Sequence, residues 1–278
     1  MKARAFDYLR PSSLADACRK LAALNAGGNS VQLMAGGQSI VAMMNLRMAS
    51  PDTVIDVGCL DELRGVEDGR GATRLGACVT HAAIEDGRVP DPSQGLMRRV
   101  AAGIAYRAVR NRGTIGGSLA LSDPAGDWVT VLPALDAEVR LAGPTGMRTV
   151  AAQDFTTGIY ETARDPDEIL ESIAVPRLSP RGRWGFSRFA RKAGDFAVSI
   201  AAAVHDPGRG YARIVLGGLD GAPAVLAQAS EALKRGAAVE EVAAAARADL
   251  ADAGFAFDAW RNGVHGAMIS RAAAQVCS

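Results

Sequence analysis

Two short stretches of this chain combine residue types suited to holding an anion: Ala35-Gly36-Gly37-Gln38-Ser39 and Thr114-Ile115-Gly116-Gly117-Ser118. In each, a glycine pair lets backbone amides approach a ligand that bulkier side chains would keep away. A serine adds a hydroxyl donor. A pyrophosphate needs several such neutral donors at short range, because its charges lose water on binding. The second stretch lies within Arg110–Asp127, whose tail Ser122-Asp123-Pro124-Ala125-Gly126-Asp127 ends on a carboxylate. Each stretch alone also reads as a tight turn, and the pairs Gly27-Gly28 and Gly217-Gly218 show how common the feature is. Neither matches G-x-G-x-x-G or the Gly-Lys-Ser/Thr of a P-loop, which argues against a Rossmann nicotinamide fold and a P-loop NTPase. Together they suggest a phosphate chain clamped between two subdomains.

Other reactive residue types form no constellation. His81, His205 and His265 are far apart and read as single surface or capping histidines, not a triad or metal set. Ser39 and Ser118 have no evident base partner, so nucleophilic catalysis is not expected. Cys18, Cys59, Cys78 and Cys277 show no C-x-x-C spacing, which argues against a zinc or iron–sulfur site on this chain. They read as small buried apolar residues. Asp165, Asp167 and Glu168 read as a solvated loop. Arg98, Arg99, Arg107, Arg110 and Arg112 read either as a basic face for subunit contact or as plain solvated surface.

The elements that must position the two stretches follow from periodicity. Ser12 to Gly27 reads as a capped helix, Val31 to Ala35 and Thr53 to Val57 as strands, with an apolar segment Ile40–Met48 between them. That order predicts a small α/β unit with parallel strands. Leu63–Val79 reads as a hairpin, Thr80 as the cap of a short helix through Ile84, and Leu96–Val109 as one helix. Asp123 and Pro124 start a helix toward Leu135, and a hairpin joins Glu138–Ala142 to Met147–Val150. Glu168–Val175 is a further strand. Pro176–Arg183 reads as a linker. After it come strands Trp184–Arg191, Ala197–Val204 and Tyr211–Leu216, then helices near Pro223–Arg235, Val239–Asp252 and Val264–Val276.

At 278 residues the chain has room for more than one core, and 49% hydrophobic with 22% charged residues describes a globular protein. The 31 basic and 30 acidic residues nearly cancel, leaving no global electrostatic case for nucleic acid. No apolar run reads as a signal-peptide core or a membrane span, so the cytoplasm is the expected location.

The paired glycine stretches, in this order, resemble the signature of the flavin-binding medium subunits of molybdenum hydroxylases, the carbon monoxide dehydrogenase and xanthine dehydrogenase family. The similarity continues through Leu46-Arg47, Asp56, Arg112-Gly113, Ser122 to Asp127, and Ile169-Leu170 to Pro176. It extends to Gly194-Asp195-Phe196-Ala197 and Leu216-Gly217-Gly218. It implies an α+β fold with an FAD-binding domain of the vanillyl-alcohol-oxidase (PCMH) type over 1–176, in subdomains of about 1–58 and 59–176. A C-terminal flavoprotein domain of the carbon monoxide dehydrogenase type, with a three-stranded antiparallel sheet and helices, is implied over 183–278.

The same resemblance implies non-covalent FAD. Ala35, Gly36, Gly37, Gln38 and Ser39 would hold the diphosphate with Thr114, Ile115, Gly116, Gly117 and Ser118, while Asp127 bonds toward the ribose or ribityl part. Leu170 would pack near the flavin, Arg188 stands near where relatives often carry a lysine, and Phe196 lies over or beside the isoalloxazine. Leu170 and Phe196 read equally well as core residues. Ser118 replaces the family's commoner asparagine, and arginine at 188 differs from lysine in shape and hydration. By resemblance, a large subunit carries a molybdopterin cofactor and a small subunit two iron–sulfur clusters of the 2Fe–2S type, in a dimer of heterotrimers. Electrons would pass from those clusters through FAD to an external acceptor, with no catalytic residue on this chain. The rival reading is a self-sufficient FAD oxidoreductase acting on its own small organic substrate. A third is an assembly subunit that has lost flavin.

Overall fold

The computed structural model describes residues 2–277. Strands Asp7–Leu9 and Val31–Met34 flank Thr53–Asp56, and both run parallel to it. The crossover is the helix Leu14–Ala26, whose cap Ser13 accepts the Asp16 amide through its side chain. Leu14, Ala17, Cys18 and Leu21 bury one face of that helix against Ile55, Val57, Leu60 and Leu63. The parallel pairing agrees with the expectation. The edge strand Asp7–Leu9 adds to it, three residues being too few to carry a periodic signal.

A second, five-stranded antiparallel sheet runs in the order Val66–Asp68, Ala72–Gly76, Ile169–Pro176, Glu138–Gly143, Gly146–Ala151. Leu75, Val139, Leu141 and Ile173 from its inner face form the main core with Leu96, Val100, Leu119, Trp128, Leu132 and Leu135. Each large apolar side chain buried in this way contributes roughly 1.5–3 kcal/mol of transfer free energy.

Two helix readings need correction. The stretch Leu96–Val109 is not one helix: Leu96–Gly103 ends, Ala105 turns to φ 40°, and a single turn Arg107–Arg110 follows. The i, i+4 step from Val100 to Ile104 crosses the break, and Ile104 and Val109 both line a cleft. The helix expected from Asp123 starts instead at Asp127, because Asp123 first folds a turn, its side chain taking the Ala125 amide and its carbonyl the Gly126 amide.

The third sheet pairs Arg183–Phe189, Ser199–Asp206 and Tyr211–Gly217 antiparallel, as expected, and gains a fourth short strand, Ala224–Val225. Its two faces alternate with period two. Ala202, Val204 and Val215 enter the main core, whereas Ala201, Ala203, Ile214 and Leu216 form a second core. That second core lies under helices Ala227–Lys234, Val239–Asp252 and Ala259–Cys277. The segment 176–183 is packed and not a free tether: Leu178 is in the main core, and the Asp206 carboxylate takes both the Ser179 amide and hydroxyl. Among the described residues, no helix is long and apolar enough to cross a membrane.

Candidate functional site

A cleft of about 630 Å³ opens where the three sheets converge, a size typical of small-molecule sites. Ala35 to Ser39 line one wall, Thr114, Gly116, Gly117 and Ser118 another, and Leu170, Arg188 and Phe196 the remainder. The structure thus brings together every residue that the resemblance assigns to FAD except Ile115, whose side chain is fully buried in the main core.

The two glycine stretches meet at backbone distance. A Cβ on Gly36 would lie 2.0 Å from the Arg112 carbonyl oxygen and 3.0 Å from Gly113 Cα. Glycine at 36 is therefore demanded first by the contact between the stretches, and only then by a ligand. Gly37 follows at φ 75°, where side chains are strained.

The stretches are not equivalent donors. Thr114 caps the helix Ile115–Leu121, and its Oγ1 accepts the Gly117 amide at 3.0 Å. The amides of Ile115, Gly116 and Ser118 donate to the carbonyls of Val79, Ala77 and Thr114. Every amide from 115 to 118 is thus used inside the protein. By contrast, among the described residues the amides of Gly36, Gly37, Gln38 and Ser39 have no acceptor. The Ser39 hydroxyl makes no capping bond either. The expectation of two amide cradles is corrected to one. The first stretch offers free amides, and the second offers a close wall and the Ser118 side chain.

Asp127 and Arg188 close the deep side. Asp127 opens the helix Asp127–Ala134, Arg188 sits on the strand Arg183–Phe189, and Nε and Oδ1 are 3.1 Å apart. The approach is misaligned for a hydrogen bond, so both atoms lie buried without a hydrogen-bond partner. The Arg188 guanidinium donates instead to the carbonyls of Asp195 (2.9 Å) and Gly103 (3.4 Å). Burial pushes the Asp127 carboxyl up to about 6, against the opposing pull of Arg188. Leu170 belongs to both the core and the cleft wall. Phe196 is 67% exposed at the mouth, which rules out the core reading for it.

Several residues lie elsewhere than their sequence context suggests. His81 and His265 are buried, not surface or capping groups. Burial is the main reason each imidazole is pushed down to about 4. His81 lines the cleft and accepts a hydrogen bond from the Trp128 indole at 3.1 Å. His265 Nδ1 lies 2.8 Å from the Ser199 hydroxyl, away from the cleft lining. Tyr160, at φ 58°, also lines the cleft, its hydroxyl 3.3 Å from the Asp123 carboxylate. Glu168 is buried and held by Arg148 at 2.6 Å, so it is no solvated residue. Arg107 and Arg110 pair with Glu85, and Arg107 also with Asp86, so neighbouring carboxylates offset their charge. Cys277 is exposed, unlike the buried Cys18 and Cys78.

Residues 4–178 match the family model described as the FAD binding domain in molybdopterin dehydrogenase. This chain belongs to that family. It is 38% identical to the nicotine 6-hydroxylase medium subunit of Paenarthrobacter nicotinovorans over 226 residues, covering 80% of this chain and 77% of that one. It is 35% identical to the carbon monoxide dehydrogenase medium chain of Hydrogenophaga pseudoflava, over 72% of this chain and 68% of that one. Among solved structures it superposes with TM-score 0.91 on a carbon monoxide dehydrogenase from Hydrogenophaga pseudoflava that lacks the Mo-pyranopterin moiety of the molybdenum cofactor. That match is 31% identical and covers 99% of this chain and 98% of the other. The chain is thus an oxidoreductase subunit of the FAD-binding, medium-chain kind.

Proposed function

We propose that this chain is the FAD-binding electron-transfer subunit of a heteromeric molybdopterin-dependent hydroxylase or dehydrogenase. The observation that carries this reading is the set of unpartnered amides at Gly36, Gly37, Gln38 and Ser39, facing a cleft that also holds the orphaned Asp127 Oδ1 and Arg188 Nε. A dinucleotide fits these groups, because its diphosphate accepts from amides and its sugar and flavin parts carry both donors and acceptors.

In this reading Ala35 to Ser39 bind the diphosphate from one side, and Thr114 to Ser118 form the opposing wall with the Ser118 hydroxyl as donor. Asp127 accepts from a sugar or ribityl hydroxyl, Arg188 orients the flavin end, and Leu170 and Phe196 exclude water beside it. FAD would supply redox exchange between one-electron centres and an external acceptor. The protein contributes binding, orientation and the exclusion of water. The domain boundaries we assign are 1–176, with subdomains of about 1–58 and 59–176, and 183–278. Its partners are a large subunit with a molybdopterin cofactor and a small subunit with two 2Fe–2S clusters, in a cytoplasmic dimer of heterotrimers.

Co-purification with partners, followed by a visible spectrum, metal analysis and an assay of the chain alone, tests this. The expected result is a yellow chain that oxidises no organic substrate without its partners. A colourless complex, or a yellow chain with substrate turnover of its own, overturns it.

A further inference from the structure

Resting on the FAD reading above, we propose that His81 is a further cofactor-contact residue, donating its Nε2–H to an oxygen of bound FAD while Trp128 fixes the tautomer that makes this possible. An indole N–H can only donate. Since Trp128 Nε1 donates to His81 Nδ1 at 3.1 Å, Nδ1 must carry the lone pair, and the neutral ring has its proton on Nε2. The two rings lie side by side, their planes 30° apart and their centroids 6.2 Å apart, so the imidazole's direction is set as well as its tautomer.

The protonated edge has a defined address. The His81 amide donates to the Gly113 carbonyl at 2.9 Å, tying the residue to the start of the second glycine stretch. A Cβ on Gly113 would stand 3.1 Å from Nε2 and 2.9 Å from Cδ2, so glycine there leaves room for the imidazole. Gly113 is also the residue whose Cα meets Gly36. The donor therefore lies at the seam between the two stretches, lining the cleft, with no acceptor for Nε2 among the described residues. His265 is the internal contrast: its Nε2 is sealed from solvent and orphaned outside the cleft lining. The His81 Nε2 is not sealed in this way, so a cofactor oxygen in the cleft would take the place of water on a donor that Trp128 has already oriented. The ligand oxygen belongs either to the diphosphate or to the flavin ring.

The test measures FAD and ADP affinity of the full chain, purified with its partners and stripped of flavin, for wild type, His81→Phe, Trp128→Phe and the double variant. Thermal unfolding without ligand monitors folding. His81→Phe should weaken FAD binding about tenfold, the effect of one lost hydrogen bond. Trp128→Phe, which touches no ligand, should weaken it about threefold by freeing the tautomer. The double variant should be no weaker than His81→Phe alone. A parallel loss for ADP assigns the oxygen to the diphosphate, and a loss confined to FAD assigns it to the flavin part. Nitrogen-15 spectra of the wild-type imidazole should report the Nε2–H tautomer and a shift of that proton on FAD addition, which keeps the test valid if a variant fails to fold. Unchanged FAD affinity in folded His81→Phe, an Nδ1–H tautomer, or an unshifted Nε2 proton overturns the proposal. A wild-type protein that binds no FAD instead overturns the reading on which it rests.

Discussion

Arg188 Nε stands 3.1 Å from Asp127 Oδ1, yet neither atom makes a hydrogen bond with any described residue. The pair joins the start of the helix Asp127–Ala134 to a strand of the third sheet. A pair that attracts by charge but is misaligned for hydrogen bonding has capacity left for a third group. This arrangement makes Asp127 the most informative titrating group of the cleft.

Folding raises the Asp127 carboxyl from the ordinary value of 3.8 to about 6. A raised value means that its stabilising contribution is complete below the unfolded value and is lost as pH rises through the folded one. Asp127→Asn lacks this dependence. Between pH 4 and pH 7 the variant should therefore gain about 2 kcal/mol relative to wild type. Urea unfolding of the flavin-free proteins across that range checks the sign. A gap independent of pH would mean that Asp127 is not buried as described.

Arg188→Met removes the charge facing that carboxylate. Breaking a buried pair from one side costs roughly 3–5 kcal/mol, and the 18% exposure of the Arg188 side chain places the effect at the lower end. In an Asp127→Asn background the same change should cost clearly less. Chemical denaturation of the two single variants and the double variant measures the coupling.

Gly36→Ala drives a Cβ to within 2.0 Å of the Arg112 carbonyl oxygen, which only backbone movement can relieve. It should destabilise the protein by about 3 kcal/mol and sharply reduce FAD retention. Gly65→Ala has open space and should stay within about 0.5 kcal/mol of wild type. Thermal melts together with flavin content separate the two.

Thr114→Val keeps the side-chain shape and removes the oxygen that accepts the Gly117 amide. The loss of a cap of this kind costs about 1 kcal/mol, and Thr114→Ser should recover most of it. Equal stability of all three proteins in a melt would show that the cap is not the second stretch's organising bond.

Features written in local chemistry were legible in the sequence. Thr80 caps where its side chain suggests, and the helix–strand–glycine–strand order gives parallel pairing of Val31–Met34 with Thr53–Asp56. What local pattern could not convey is which amides remain free. Gly116 looks like Gly36 in sequence, but its amide is taken by Ala77, in the turn after the strand Ala72–Gly76. The burial of His81 depends likewise on Trp128, distant in sequence and contributed by another helix. The break after Gly103 was hidden because Val100 and Ile104 keep an i, i+4 spacing across it, although Val109, five residues further on, is off that face. The fourth strand, Ala224–Val225, has two residues and leaves no periodic trace.

The central claim is that the cleft between the two glycine stretches holds FAD. The direct measurement is the flavin content of the purified complex, by visible spectrum and extraction, for wild type beside Gly36→Ala and Gly65→Ala. The account predicts one FAD per chain in wild type and Gly65→Ala and little or none in Gly36→Ala. A colourless wild-type complex, or full flavin occupancy in a folded Gly36→Ala variant, would contradict it.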